Sequence, residues 1–242
     1  MTGLGVRARR WLTIGVALLA LAAGLHGLAF FELHRLQPTP ALTDLPLAVS
    51  LAAWLGVLSF LVLQLRLRTR GLAVLVAPAA FLGTVFAAFS AVAPKSGTTG
   101  SALWSHLHVL LSSGGLALLG VAGAAGVLYL IHHRAIKLHR VGPRSALPSL
   151  ENLDRANTLA SALGFLLLSL GVVTGVLWVE AREGRLWPGG LHANATLAVW
   201  TLYAVLMAAR RAAKQGARQS ALGATAGFAL LLAAVIGIGV LR

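Results

Sequence analysis

Long runs of apolar residues alternate with short polar connections along almost the whole chain. Seven runs, at about 11–31, 46–65, 71–93, 104–131, 157–178, 194–209 and 220–241, reach or approach the roughly 20 residues a helix needs to cross a bilayer core. None shows the period-two alternation of a barrel strand. Backbone exposed to lipid must satisfy its own hydrogen bonds, so each run is predicted to be a helix. The expected fold is therefore all-α: a polytopic transmembrane bundle of about seven spans, forming a single integral membrane domain over residues 1–242. Arg7, Arg9 and Arg10 precede the first run as they would in a signal peptide, but the run continues to Phe31, and we read it as a retained helix. Pro78 falls inside the third run, where it should kink the helix or leave a carbonyl for a neighbour to satisfy. Gly171 with Gly175, and Gly223 with Gly227, are spaced for close helix contact within the chain.

Composition supports this pattern. The chain is 58% apolar and 11% charged, against about 45–50% and 25% in soluble domains. A soluble globular fold and disorder are both excluded. The absence of cysteine rules out disulfides, thiolate metal sites and cysteine catalysis by this chain. A formal charge of +14 invites a nucleic-acid reading, but the position of the charges argues against it. Fifteen of the 20 Lys and Arg residues fall on one set of alternate connections and five on the other, which places the N-terminus in the cytoplasm and the C-terminus outside. The basic excess is thus a topology signal, with membrane lipid as its partner and no nucleic acid. The connection at 132–156 is the long one, and Leu147, Leu150 and Leu153 within it fit a short amphipathic segment on the inner interface. The stretch 94–103 reads as an outer loop.

Asp, Glu, Lys and Arg are missing from the middle of every span, which argues against an ion-coupled transporter. The ionisable residues that remain are histidines. His26, His106, His108 and His192 all fall on the external half, and neutral imidazole is a good axial ligand for haem iron. His106 and His108 are two apart, so only one can face the bundle interior. Other readings stay open: His26 as a buried histidine bonded to a neighbouring carbonyl, and His106 and His192 as wet interfacial groups. His132, His133 and His139 read as a solvated basic collar. Trp104, Trp178, Trp187 and Trp200 fit an outer aromatic belt, or a flat shelf for a porphyrin face.

From about Ser105 onward the order of features resembles the cytochrome c assembly family of CcsA/HemX-type membrane proteins, especially its short YpjD-like branch. His108-Val-Leu-Leu-Ser-Ser and Val127-Leu-Tyr-Leu-Ile resemble the two ends of one family helix. Leu147-Pro-Ser-Leu-Glu-Asn-Leu-Asp resembles the cytoplasmic linker, and Gly164-Phe-Leu-Leu-Leu-Ser-Leu-Gly-Val-Val-Thr-Gly-Val-Leu-Trp the next span. Trp200-Thr-Leu-Tyr-Ala-Val resembles the span that follows the external loop, and Gly24-Leu-His26-Gly-Leu-Ala an early histidine-bearing helix. The assembly-like region so defined is about 105–242.

The resemblance implies a haem-handling protein of the cell membrane, used in cytochrome c biogenesis, that binds and delivers more than it catalyses. Its cargo would be haem b, and its partners other assembly subunits and an apocytochrome c. His108 matches the external axial ligand. His26 or His192 would supply the second ligand, Arg182 or Arg185 the propionate partners, and Trp187 is what remains of the external tryptophan motif. The family's Trp-Ser-Trp-Asp-Pro-Lys-Glu loop is here Trp187-Pro-Gly-Gly-Leu-His-Ala, and two further family histidines have no counterpart. The alternative is an accessory or regulatory subunit of the same fold without haem, supporting an ion transporter or regulating haem synthesis.

Overall fold

The computed structural model describes residues 3–36, 44–90, 102–139, 148–187, 189–212 and 216–240. These form seven α-helices: α1 (Gly3–Leu36), α2 (Leu45–Leu67), α3 (Ala73–Ser90), α4 (Ala102–Lys137), α5 (Leu150–Glu183), α6 (Gly190–Ala212) and α7 (Ala217–Val240). A single 3₁₀ turn at Arg70–Leu72 joins α2 to α3. Among the described residues, five helices are long and apolar enough to cross a membrane, at Arg10–Leu36, Leu45–Leu67, Arg70–Ser90, Leu103–Lys137 and Leu150–Glu183. The protein is a membrane protein of the all-helical, multi-span kind. In the orientation that the basic residues predict, the rim carrying Leu67, Lys137 and Ala212 is the inner one.

The helix ends follow local rules. Asp44 precedes α2, with proline in its first turn, and Arg68 closes it in the left-handed region with its N–H on the Gln64 carbonyl. Ser149 caps α5 by accepting the Asn152 N–H at 3.2 Å. Gly184 ends α5 at φ 65°, a conformation that costs glycine least. Pro78 remains inside α3, on its exposed side.

At 36 residues α4 is about 54 Å long, well beyond a bilayer core of about 30 Å. It is also the central helix: 67% of its apolar window is buried, against 6% for α1. The α4–α5 seam is built from glycines. A Cβ on Gly115 would stand 2.7 Å from the Leu168 nitrogen, and one on Gly164 3.0 Å from the Leu119 nitrogen. The two backbones therefore touch with no side chain between them, as small residues allow between membrane helices. Around the seam, Phe60, Leu72, Ala125, Leu153 and Ala156 form one apolar cluster and Leu119, Leu168, Tyr203 and Leu231 another. Gly227 receives Tyr203 and Leu206 of α6, so the second predicted glycine pair also packs within the chain.

The inner connection departs from expectation. Because α4 runs on to Lys137 and α5 begins at Leu150, no separate interfacial segment is formed by the described residues. Leu153 is fully buried in the core rather than lying on the membrane surface, and Leu147 and the loop at 94–101 are outside the described residues. His132 departs too. It is buried and donates Nδ1–H to the Pro148 carbonyl at 2.9 Å, while Pro148 presses on Gly71. It pins the connection where a solvated collar was expected, and His133 stacks on Tyr129.

The peripheral helix α1 is held by polar contacts to α2. Trp54 donates its indole N–H to the Ala23 carbonyl at 2.8 Å, and the edge of its ring fills the gap left by Gly27. Trp54→Phe keeps an aromatic ring and removes the donor, so it should weaken this attachment by about 1 kcal/mol. Backbone amides near Ala23 should then exchange hydrogen faster while those of α4 do not.

Candidate functional site at the outer rim

His108 lies about two turns inside the outer end of α4, on the side that faces α5. Its Nδ1 is 2.7 Å from the Gly171 carbonyl oxygen. A carbonyl can only accept, so Nδ1 carries the proton and the neutral ring keeps its lone pair on Nε2. No described hydrogen bond engages Nε2, and Ser112 Oγ lies 3.5 Å from the same Nδ1. Metal-binding histidines are commonly held in this way, with the second ring nitrogen donated to a carbonyl to fix tautomer and orientation.

Two glycines make the seat. A Cβ at Gly175 would lie 2.8 Å from both Cε1 and Nδ1 of His108, and one at Gly171 2.5 Å from Ser112 Oγ. The spacing of this pair indicates helix packing, and it does bring α4 and α5 together. It also leaves the space the imidazole occupies. About one turn beyond Gly175 on α5, Trp178 stacks on the imidazole with centroids 6.1 Å apart. The Arg182 guanidinium lies 5.5 Å from the Trp178 ring centroid. One face of α5 thus carries, in ascending order, a carbonyl, a gap, an indole and a cation.

Arg182 and Arg185 both reach Glu183, at 3.0 Å and 2.6 Å. These pairs are solvent-exposed and worth at most about 1 kcal/mol each, so another carboxylate can replace Glu183 at little cost. Trp187 is exposed within the connection from α5 to α6. His192 falls in the first turn of α6, and its side chain is outside the described residues. His26 stacks on Phe30 and its Nε2 pairs with Ser50 Oγ of α2 at 2.9 Å, a hydroxyl rather than the expected carbonyl. Among the described residues no hydrogen bond or ring contact joins His26 to His108: one imidazole is committed to α2, the other to α5.

Sequence reading leaves Trp178 undistinguished among the four tryptophans that fit either a belt or a porphyrin shelf. Its contact with His108 depends on the helix pairing, which periodicity does not reveal. Trp200 is also no belt residue. It lies ten residues inside α6, donates to Ser169 Oγ at 2.9 Å and stacks on Phe165.

The family profile described as Cytochrome C assembly protein matches residues 42–242. The chain belongs to the cytochrome c assembly protein family. The match begins ahead of the region from 105 whose motifs carried the resemblance, and takes in α2 and α3 as well. Among curated relatives, the cytochrome c biogenesis protein CcsA of Chlamydomonas reinhardtii is 25% identical over 175 residues, covering 69% of this chain and 48% of its own. That of Thermosynechococcus vestitus is 31% identical over 91 residues, 38% of this chain and 28% of its own. The Glycine max protein of the same name is 27% identical over 92 residues, 38% and 28%. The chain spans about half the length of these relatives or less. No solved structure matches it.

Proposed function

We propose that this cytochrome c assembly protein binds haem b at its outer rim as cargo, through His108, and passes it on during cytochrome c biogenesis. The observation that carries this reading is the Gly171 carbonyl holding Nδ1–H, which leaves Nε2 as the electron-pair donor for iron. Trp178 would give the macrocycle an aromatic neighbour. Arg182 or Arg185 would exchange Glu183 for a propionate. His26 and His192 are the proposed sources of a second ligand, His192 the better placed in sequence because it opens α6 just after the Trp187 connection. Chlamydomonas and cyanobacterial relatives named for cytochrome c biogenesis support the setting.

The chain has no thiol. Its part in covalent attachment would be to hold haem against an apocytochrome whose own cysteines react, by positioning and not by chemistry of its own. Other assembly subunits in the cell membrane would be its partners. The test is a reduced-minus-oxidised spectrum of the protein purified from cells supplied with haem. A sharp α-band supports cargo binding, and a colourless, folded protein rejects it.

A second reading has its own support. Arg182, Arg185 and His26 all have partners within the chain, as expected of an accessory subunit that keeps the fold without haem. The same spectrum separates the two.

A further inference from the structure

The far end of the bundle holds a different feature. Between the inner halves of α5, α6 and α7 lies a cavity of about 20 Å³, lined mostly by apolar surface, Leu206 and Met207 among it, with Ser161, Tyr203, Arg210 and Ser220 as its polar side chains. Tyr203 is 2% exposed and Ser220 6%, yet among the described residues neither hydroxyl has a hydrogen-bond partner. Two bare hydroxyls in an apolar bundle are costly, because each forfeits its hydrogen bonds to water with nothing in return. A cavity without polar groups would stay dry, whereas one of at least about 10–15 Å³ that offers two to four hydrogen-bond partners holds a water, even where the rest of its wall is apolar.

We propose that this cavity is a hydration site that holds one ordered water, bridging Tyr203 of α6 and Ser220 of α7 with Ser161 of α5 as third partner. Its size excludes a carboxylate or phosphate. Arg210, the cation at its edge, is turned toward α5, where its two terminal nitrogens donate to Asn157 Oδ1 at 3.1 Å and to Thr158 Oγ1. Gly227 gives the end of the Tyr203 ring its room, since a Cβ there would lie 3.1–3.2 Å from it. The direct hydrogen bonds of Trp200 and Arg210 tie α6 to α5. The water supplies the polar link from α6 onward to α7. The site is independent of haem.

A double-mutant cycle on the full chain in nanodiscs tests this, with Tyr203→Phe, Ser220→Ala and the pair. If a water is bound, each single change lowers Tm by about 2–4 °C, and the double variant falls little further, because the water has already lost its hold. A Tm that is unchanged or raised by Tyr203→Phe would mean a dry hydroxyl whose removal relieves a penalty, and would overturn the site. Fully additive losses would also overturn it. A density map that resolves waters gives a second readout: one peak within hydrogen-bond distance of both oxygens is expected, and an empty cavity or a larger anion refutes it.

Discussion

Replacing His108 by alanine is expected to strip most of the haem from the purified protein, with the reduced α-band lost and the helical content unchanged. The fold should survive because α4 is held to α5 by backbone contact at Gly115 and Gly164, one turn or more deeper than the imidazole. Gly175→Ala makes the more discriminating companion. Its methyl would enter the space 2.8 Å from Nδ1 and Cε1, so the ring must swing away from the Gly171 carbonyl. The ligand would remain in the sequence without its orienting hydrogen bond, and such losses weaken metal binding by about tenfold or more. Added imidazole should restore a band to His108→Ala but not the native spectrum of Gly175→Ala. If haem content is the same in all three proteins, iron is held elsewhere and the outer-rim assignment fails.

Arg210→Ala is expected to cost about 3 kcal/mol, seen as a fall in Tm of roughly 6–12 °C. Arg210 reaches from α6 into α5. It donates to Asn157, which is 1% exposed, and to Thr158, and it stands 3.6 Å from Asp154. Asn157 in turn donates to the Ala122 carbonyl of α4 at 3.3 Å. Removing the guanidinium leaves a buried amide oxygen and a half-buried carboxylate unpaired, a penalty larger than the loss of the bonds themselves. Arg210→Lys should recover only part, since an ammonium cannot present two divergent donors from one plane. Arg211→Ala, one residue along and exposed, should change stability by less than about 0.5 kcal/mol. Equal effects at 210 and 211 would show that the polar clamp contributes nothing.

Much of this architecture was legible in the sequence, and for a physical reason. Lipid imposes one rule on every residue of a span, so runs such as 46–65 and 104–131 announce helices without any knowledge of their neighbours. The family also was legible, since His108 and the Gly171 to Trp178 stretch are local motifs. What could not be read is anything that depends on which helix faces which. Trp178 becomes a neighbour of His108 only through the α4–α5 pairing. His132 looks solvated in the sequence because four Lys and Arg residues follow it within a dozen positions, yet an extended α4 carries it against Pro148. Arg210 looks like a topology charge, and it closes a polar cluster with Asn157, Thr158 and Asp154. His26 and His108 share the external half of the bundle in the sequence, a coordinate that says nothing of direction around a helix.

The glycine seam has one more consequence. The Gly171 carbonyl and the gap at Gly175, with Trp178 stacked above, set the bearing of the His108 ring from the seam side, so the outward faces of both helices are free to drift. Leu110, Leu166, Leu170 and Val173, all turned away from the seam, could exchange among aliphatics in bilayers of differing thickness while the imidazole kept its aim.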